Sequence, residues 1–153
     1  MPAAPSSRLA AARAAPRSPF NPPHRCIGAR VLPEQYRLHN SRDFHSVVRS
    51  GRRAGGRNLV IYVANRAPET GPPALIFGGP RFGLIVSKSV GGSVVRHTLA
   101  RRLRPLCVDV APGLDRGSDV VIRALPPAAV ASATVLERDL RRALQRLGVV
   151  GGA

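Results

Sequence analysis

A lone lysine followed by a run of arginines is the strongest chemical signal in this chain. Lys88 precedes the turn Ser89-Val90-Gly91-Gly92 and the helix-like stretch SVVRHTLARRLRPL (93–106). That stretch holds Arg96, Arg101, Arg102 and Arg104 and not one carboxylate. A surface helix kept only for solubility mixes its charges and gains from i,i+4 pairs. A single sign calls for an anionic counterpart. On a helix, His97, Arg101 and Arg104 fall at i, i+4 and i+7 along one side. Arg102 flanks the apolar stripe from the opposite edge, and Arg96 sits in the first turn. Lys88 beside the free N–H groups of a helix start suits a phosphate. It is no nucleotide P-loop, because the spacing GxxxxGK(S/T) is absent.

Other chemistries find less support. A metal-free ribonuclease needs a general base, a general acid and a cation, and His39, His45 and Lys88 are the right types. His39 and His45, however, flank a helix start six residues apart and do not converge. The 8 acidic residues are dispersed along the chain, which leaves no carboxylate cluster for two metals. His24 and Cys26 are neighbours without a second ligand pair. Cys26 and Cys107 form neither a CxxC motif nor a disulfide framework. No catalytic residue and no metal site on the protein is therefore expected. No apolar run approaches the roughly 20 residues that span a bilayer, so the cytoplasm is the simplest compartment and no membrane partner is expected.

The whole chain repeats the bias of the helix. Net charge is +16, and Lys88 is the only lysine among 24 basic residues. Arginine's planar fork suits phosphate contact, although G+C-rich codons also enrich arginine together with Ala, Pro and Gly. The excess of charge stands either way and points to nucleic acid or, less often, a membrane surface.

Residues 1–30 carry five arginines, no acid and frequent Pro and Ala, with no periodicity. They read as a disordered basic tail, as an organelle transit peptide, or as an over-extended start upstream of Val31. The remainder, 31–148, reads as one domain, with 149–153 as a flexible C-terminus. Asn40-Ser41 caps a short amphipathic helix with Phe44, Val47 and Val48 at i, i+3, i+4, ending at Gly51. RNLVIYVA (57–64) alternates Leu59/Ile61/Val63 against Val60/Tyr62 and is a strand. A minor strand is placed near 52–55, a long hairpin loop over 68–80, and strands over 81–88 and 118–125. Ser93 is the expected cap of the Arg-rich helix, whose core face holds Val95, Leu99, Leu103, Leu106 and Cys107. Pro105 should kink or end it. A last helix carries Val135, Leu140, Leu144 and Leu147 and stops at Gly148. The order defines an α+β fold, an αβββαβα two-layer sandwich. Its sheet is mostly antiparallel, with helices on one face and a βαβ crossover around the Arg-rich helix.

The segment RFGLIVSKSVGGSVVRHTLARRLR resembles the protein subunit of bacterial ribonuclease P through Arg81, Gly83, Val86, Lys88, Gly91, Val94, Arg96, Arg101 and Arg104. RLHNSRDFHSVVRSGRR resembles that family's first helix, with its Asp43-Phe44 pair. GGRNLVIYV resembles its second strand and DVVIRA its last. His97 stands where many members have Asn, Thr98 where Arg is common, and Ala100 where Lys is common. Val48 replaces a frequent second aromatic. The resemblance implies a left-handed crossover and a protein that does no chemistry itself. A catalytic RNA using bound Mg2+ would cleave precursor tRNA to free its mature 5′ end. By the same resemblance Lys88, Arg96, His97, Arg101, Arg102, Arg104 and Arg57 contact RNA. Phe44, Tyr62 and, at its matching position, Val48 line a cleft for the substrate's 5′ leader. The partners implied are the catalytic RNA and precursor tRNA, with no cofactor on the protein and no obligate protein partner. A basic ribosomal or other structural RNA-binding protein is the alternative that the charge alone allows.

Overall fold

The computed structural model describes residues 32–66 and 79–150; the basic tail and nearly all of the 68–80 loop lie outside them. Three helices, α1 (Ser41–Ser50), α2 (Ser93–Val110) and α3 (Ala133–Arg146), accompany four strands. These are β1 (Arg52–Gly55), β2 (Leu59–Asn65), β3 (Arg81–Val86) and β4 (Ser118–Ala124). The chain order is αβββαβα, as expected. Asn40 caps α1, its side chain accepting from the Arg42 N–H at 3.3 Å. Ser132 caps α3 in the same way, accepting from the Val135 N–H at 3.3 Å. The cap of α2 is Gly92 rather than Ser93, and no side chain bonds there. Gly91, at φ 152°, makes the strand-to-helix turn in a region other residues avoid.

The sheet order is β1-β2-β4-β3. The β1–β2 and β2–β4 pairs are antiparallel and β3–β4 is parallel, so β3–α2–β4 is a βαβ unit. Both sheet faces are apolar, because β2 alternates between two buried sets. Leu59, Ile61 and Val63 join Phe82, Val120 and Ile122 under α2 and α3. Val60, Tyr62 and Val121 join Val47 of α1 on the other face. The expected two-layer arrangement with helices on one face is corrected here: α2 and α3 cover one face and α1 covers part of the other. The physical reason is β2 itself, whose Val60 and Tyr62 need cover as much as their neighbours do.

Local details also differ from expectation. Pro105 lies inside α2 and does not end it. Leu106, Cys107 and Val110 beyond it are buried, and that packing offsets the lost hydrogen bond to Arg101. Val95 is 38% exposed, because the first turn of α2 projects past the core that holds Leu99 and Leu103. On α3 the buried set is Leu136, Leu140, Ala143 and Leu144, with Val135 at its margin. Of the segment from residue 149, the described Val149 is held to the end of α3. Gly148 takes φ 63°, its N–H reaches Gln145 O at 2.9 Å and the Val149 N–H reaches Leu144 O at 3.3 Å. That is a Schellman motif, and it buries Val149 against the core.

Candidate nucleic-acid interface

The α2 surface has the one-signed edge expected of it. His97, Arg101 and Arg104 are exposed along it, as is Lys88 in the short 3-10 turn Lys88–Val90 just before the helix. Arg102 is also exposed and donates to Ala131 O at 3.3 Å, which leans it towards the start of α3. Arg96 is half-buried, and its Nε is enclosed without a hydrogen-bond partner. Gly92 leaves the first N–H groups of α2 uncapped by any side chain, so partial positive charge adds to these cations.

Arg57 stands apart from this group. The register pairs Leu59 with Ala124 and Ala124 with Val86, so the β1–β2 turn and Lys88 share one end of the sheet. Strand β4 lies between them. The turn bearing Arg57 instead docks on α3, where Asn58 donates to Asp139 Oδ2 at 2.6 Å and Arg146 donates to Gly55 O at 3.4 Å.

The second candidate site lies on the opposite face, under and beside α1. The Phe44 ring rests on Gly83 of β3, in space a side chain at Gly83 would need. Val48, one turn on, is exposed at the helix edge. Tyr62 is only 7% exposed and belongs to the cluster with Val47 and Val121, so its ring forms floor and offers no open stacking face. Sequence reasoning missed two cations here. Arg123 is exposed near the C-terminal end of β4, on the same face as Val121 and between Val60 and Ile85 in register. Arg53 is exposed opposite Tyr62. The signal for Arg123 was present: one charge interrupting the apolar run DVVIRA, at even spacing from Val121.

An ionic network fixes α1 over this face. Arg81 at the start of β3 donates through Nε and Nη2 to the two oxygens of Asp119 at 2.8 and 2.6 Å, and through Nη1 to Asp43 of α1 at 3.2 Å. Arg66 approaches Asp119 at 3.3 Å. The hydrogen bonds Arg81 donates to Asp119 raise its pKa above the ordinary value despite partial burial, and the charges of Asp119 and Asp43 add to the effect. Arg81 is thus occupied internally. Other acids are likewise engaged: Glu34 with Arg37 and His39, and Glu137 with Arg141. Burial pushes the Cys107 thiol up to about 12, which leaves it a core residue and no nucleophile.

A four-stranded α+β sheet with a one-signed helix edge on one face and exposed arginines beside α1 on the other defines a small basic protein suited to polyanions. Residues 32–148 match the Ribonuclease P family, and the chain belongs to that family. It is 51% identical over 120 residues to the "Ribonuclease P protein component" of Rhodococcus opacus, covering 78% of this chain and 94% of that one. With the protein of the same description from Nocardia farcinica it shares 46% over 135 residues, covering 80% and 86%. Among solved structures, the Staphylococcus aureus RNase P protein superposes with a TM-score of 0.63 at 22% identity, covering 76% of this chain and 98% of that one. The Thermotoga maritima protein gives 0.59 at 18%, with the same coverages. Its role is that of the protein component of ribonuclease P, a tRNA-processing endoribonuclease, and its partner is the ribonuclease P RNA. None of the helices among the described residues is long and apolar enough to cross a membrane.

Proposed function

We propose that the chain works as a two-sided RNA clamp in which the chemistry belongs to the RNA. Lys88, Arg96, His97, Arg101, Arg102 and Arg104 contact the phosphate backbone of the catalytic RNA. The α1 cleft holds the 5′ leader of precursor tRNA, with Phe44, Val48 and Tyr62 as its apolar wall and floor and Arg53 and Arg123 as phosphate contacts. Mg2+ is required by the RNA, and the protein binds no cofactor of its own. The holoenzyme works in the cytoplasm. The observation that carries this reading is the separation of the sites: α2 and α1 lie on opposite faces of one sheet, so two RNA segments can bind without competing. The acids support it as well, since most are engaged in ion pairs or hydrogen bonds that hold the fold rather than converging on a metal or a nucleophile.

The test is a cleavage assay on precursor tRNA with Mg2+ in three forms: protein alone, catalytic RNA alone, and both. No cleavage is expected from the protein, slow cleavage from the RNA, and faster cleavage at near-physiological salt from the pair. Cleavage by the protein alone that is lost in His39→Ala or His45→Ala variants would overturn the assignment.

A further inference from the structure

The outer face of α3 carries a second arginine ridge. Arg138, Arg142 and Arg146 recur at i, i+4 and i+8, and all three are exposed. Like charges at i,i+4 destabilise a helix, so the ridge works against its own helix unless an anion meets it. The two acids of this helix do not supply one. Glu137 pairs with Arg141 at 3.0 Å, and Asp139 accepts from Asn58 at 2.6 Å. Only Arg146 makes a contact of its own, to Gly55 O at 3.4 Å. That contact, with Asn58–Asp139, brings the turn bearing exposed Arg57 against the same side of α3. Four cations therefore line one surface. It is separate from the α2 edge, because Arg141 and Gln145 occupy the flank of α3 that faces Asp109 and Val110 of α2.

We infer that Arg138, Arg142 and Arg146, with Arg57, form a second docking surface for the catalytic RNA, engaging a strand other than the one on α2. This rests on the reading of α2 and the cleft given above. Successive ridge positions are four residues apart, about 6 Å along the axis, a step that suits neighbouring phosphates on one strand. The catalytic RNA is the occupant, and not the leader, because α3 shares a sheet face with α2 and lies opposite the cleft. Charged residues that only guard the β1 edge from aggregation would need no such ridge on a helix.

The experiment uses the full chain and the ribonuclease P RNA of the same organism. Binding is measured against salt for wild type, for an Arg138→Gln/Arg142→Gln/Arg146→Gln variant, and for Arg101→Gln/Arg104→Gln. Each lost phosphate contact should flatten the log K against log[salt] slope by about 0.7–0.9. The α3 variant should therefore lose roughly two units, keep its melting temperature, and unprotect an RNA segment in hydroxyl-radical footprinting other than the one the α2 variant unprotects. An Arg→Lys triple variant should restore most of the slope. An α3 slope and footprint equal to wild type, with α2 still effective, would overturn this inference and leave the proposed function standing. Loss of leader-dependent affinity for precursor tRNA alone would overturn it too, by assigning the ridge to substrate. Failure of wild type to bind the RNA at all would sink the underlying reading instead.

Discussion

Arg81 ties β3, β4 and α1 together through a single guanidinium. Asp119 is 5% exposed, and its two oxygens are met by the fork of Arg81, which also reaches α1 through Asp43. Removing one partner of such a pair leaves a buried charge with poor compensation. Arg81→Met is expected to cost about 3 kcal/mol in urea unfolding, at the low end of the range for broken buried pairs because Arg66 remains beside Asp119. Arg81→Lys should recover part of this, since an ammonium keeps the charge but not the bidentate geometry. Unchanged stability with weaker RNA binding would instead make Arg81 an RNA contact. The motif around Arg81 was readable in the sequence, but its partners were not. Asp43 and Asp119 lie 38 residues to either side, and only the sheet and α1 together bring them to one guanidinium.

Elements were legible wherever a local period or cap defines them. The 3.6-residue pattern of α1, the alternation in β2 and the turn glycines before α2 each point to the structure that forms. What a single element cannot reveal is which face its partner takes. The alternation puts Val60 and Tyr62 on one face of a strand, yet the identity of their cover, α1, depends on the path of the whole chain. Pro105 misled for a related reason: the local penalty is real, but the burial of Leu106 and Cys107 outweighs it. Gly83 was matched as a motif glycine, and its role emerges only with Phe44 lying on it. Gly83→Ala should therefore lift Phe44 and α1 from the sheet and destabilise by about 1–3 kcal/mol, the usual cost of overpacking. In a Phe44→Ala background the same change should cost much less, and a double-mutant cycle measures the coupling. Additive effects would show that Phe44 does not depend on Gly83.

At the scale of the molecule, charge is divided between two kinds of work. Arg37, Arg66, Arg81 and Arg141 pair with carboxylates of the fold, while the cations of α2, α3 and the cleft face outward. Net charge of +16 is large enough that part of any gain in RNA binding is simple neutralisation of phosphate repulsion. Salt or added Mg2+ should replace that part, because screening acts on it regardless of geometry. The proposed grip on the leader is different, since a strand held between α1 and Arg123 would contribute contacts that free ions cannot imitate. The two contributions separate in a leader-length series. With wild-type protein and catalytic RNA, affinity for precursor tRNA should rise as the leader lengthens, and a leader of about one or two nucleotides should lose most of the protein-dependent gain, being too short to place several phosphates along the cleft. Arg123→Gln should flatten that length dependence while leaving affinity for the catalytic RNA as it was. If raising Mg2+ abolishes the length dependence as fully as Arg123→Gln does, the cleft acts only as diffuse charge and the grip on the leader is refuted.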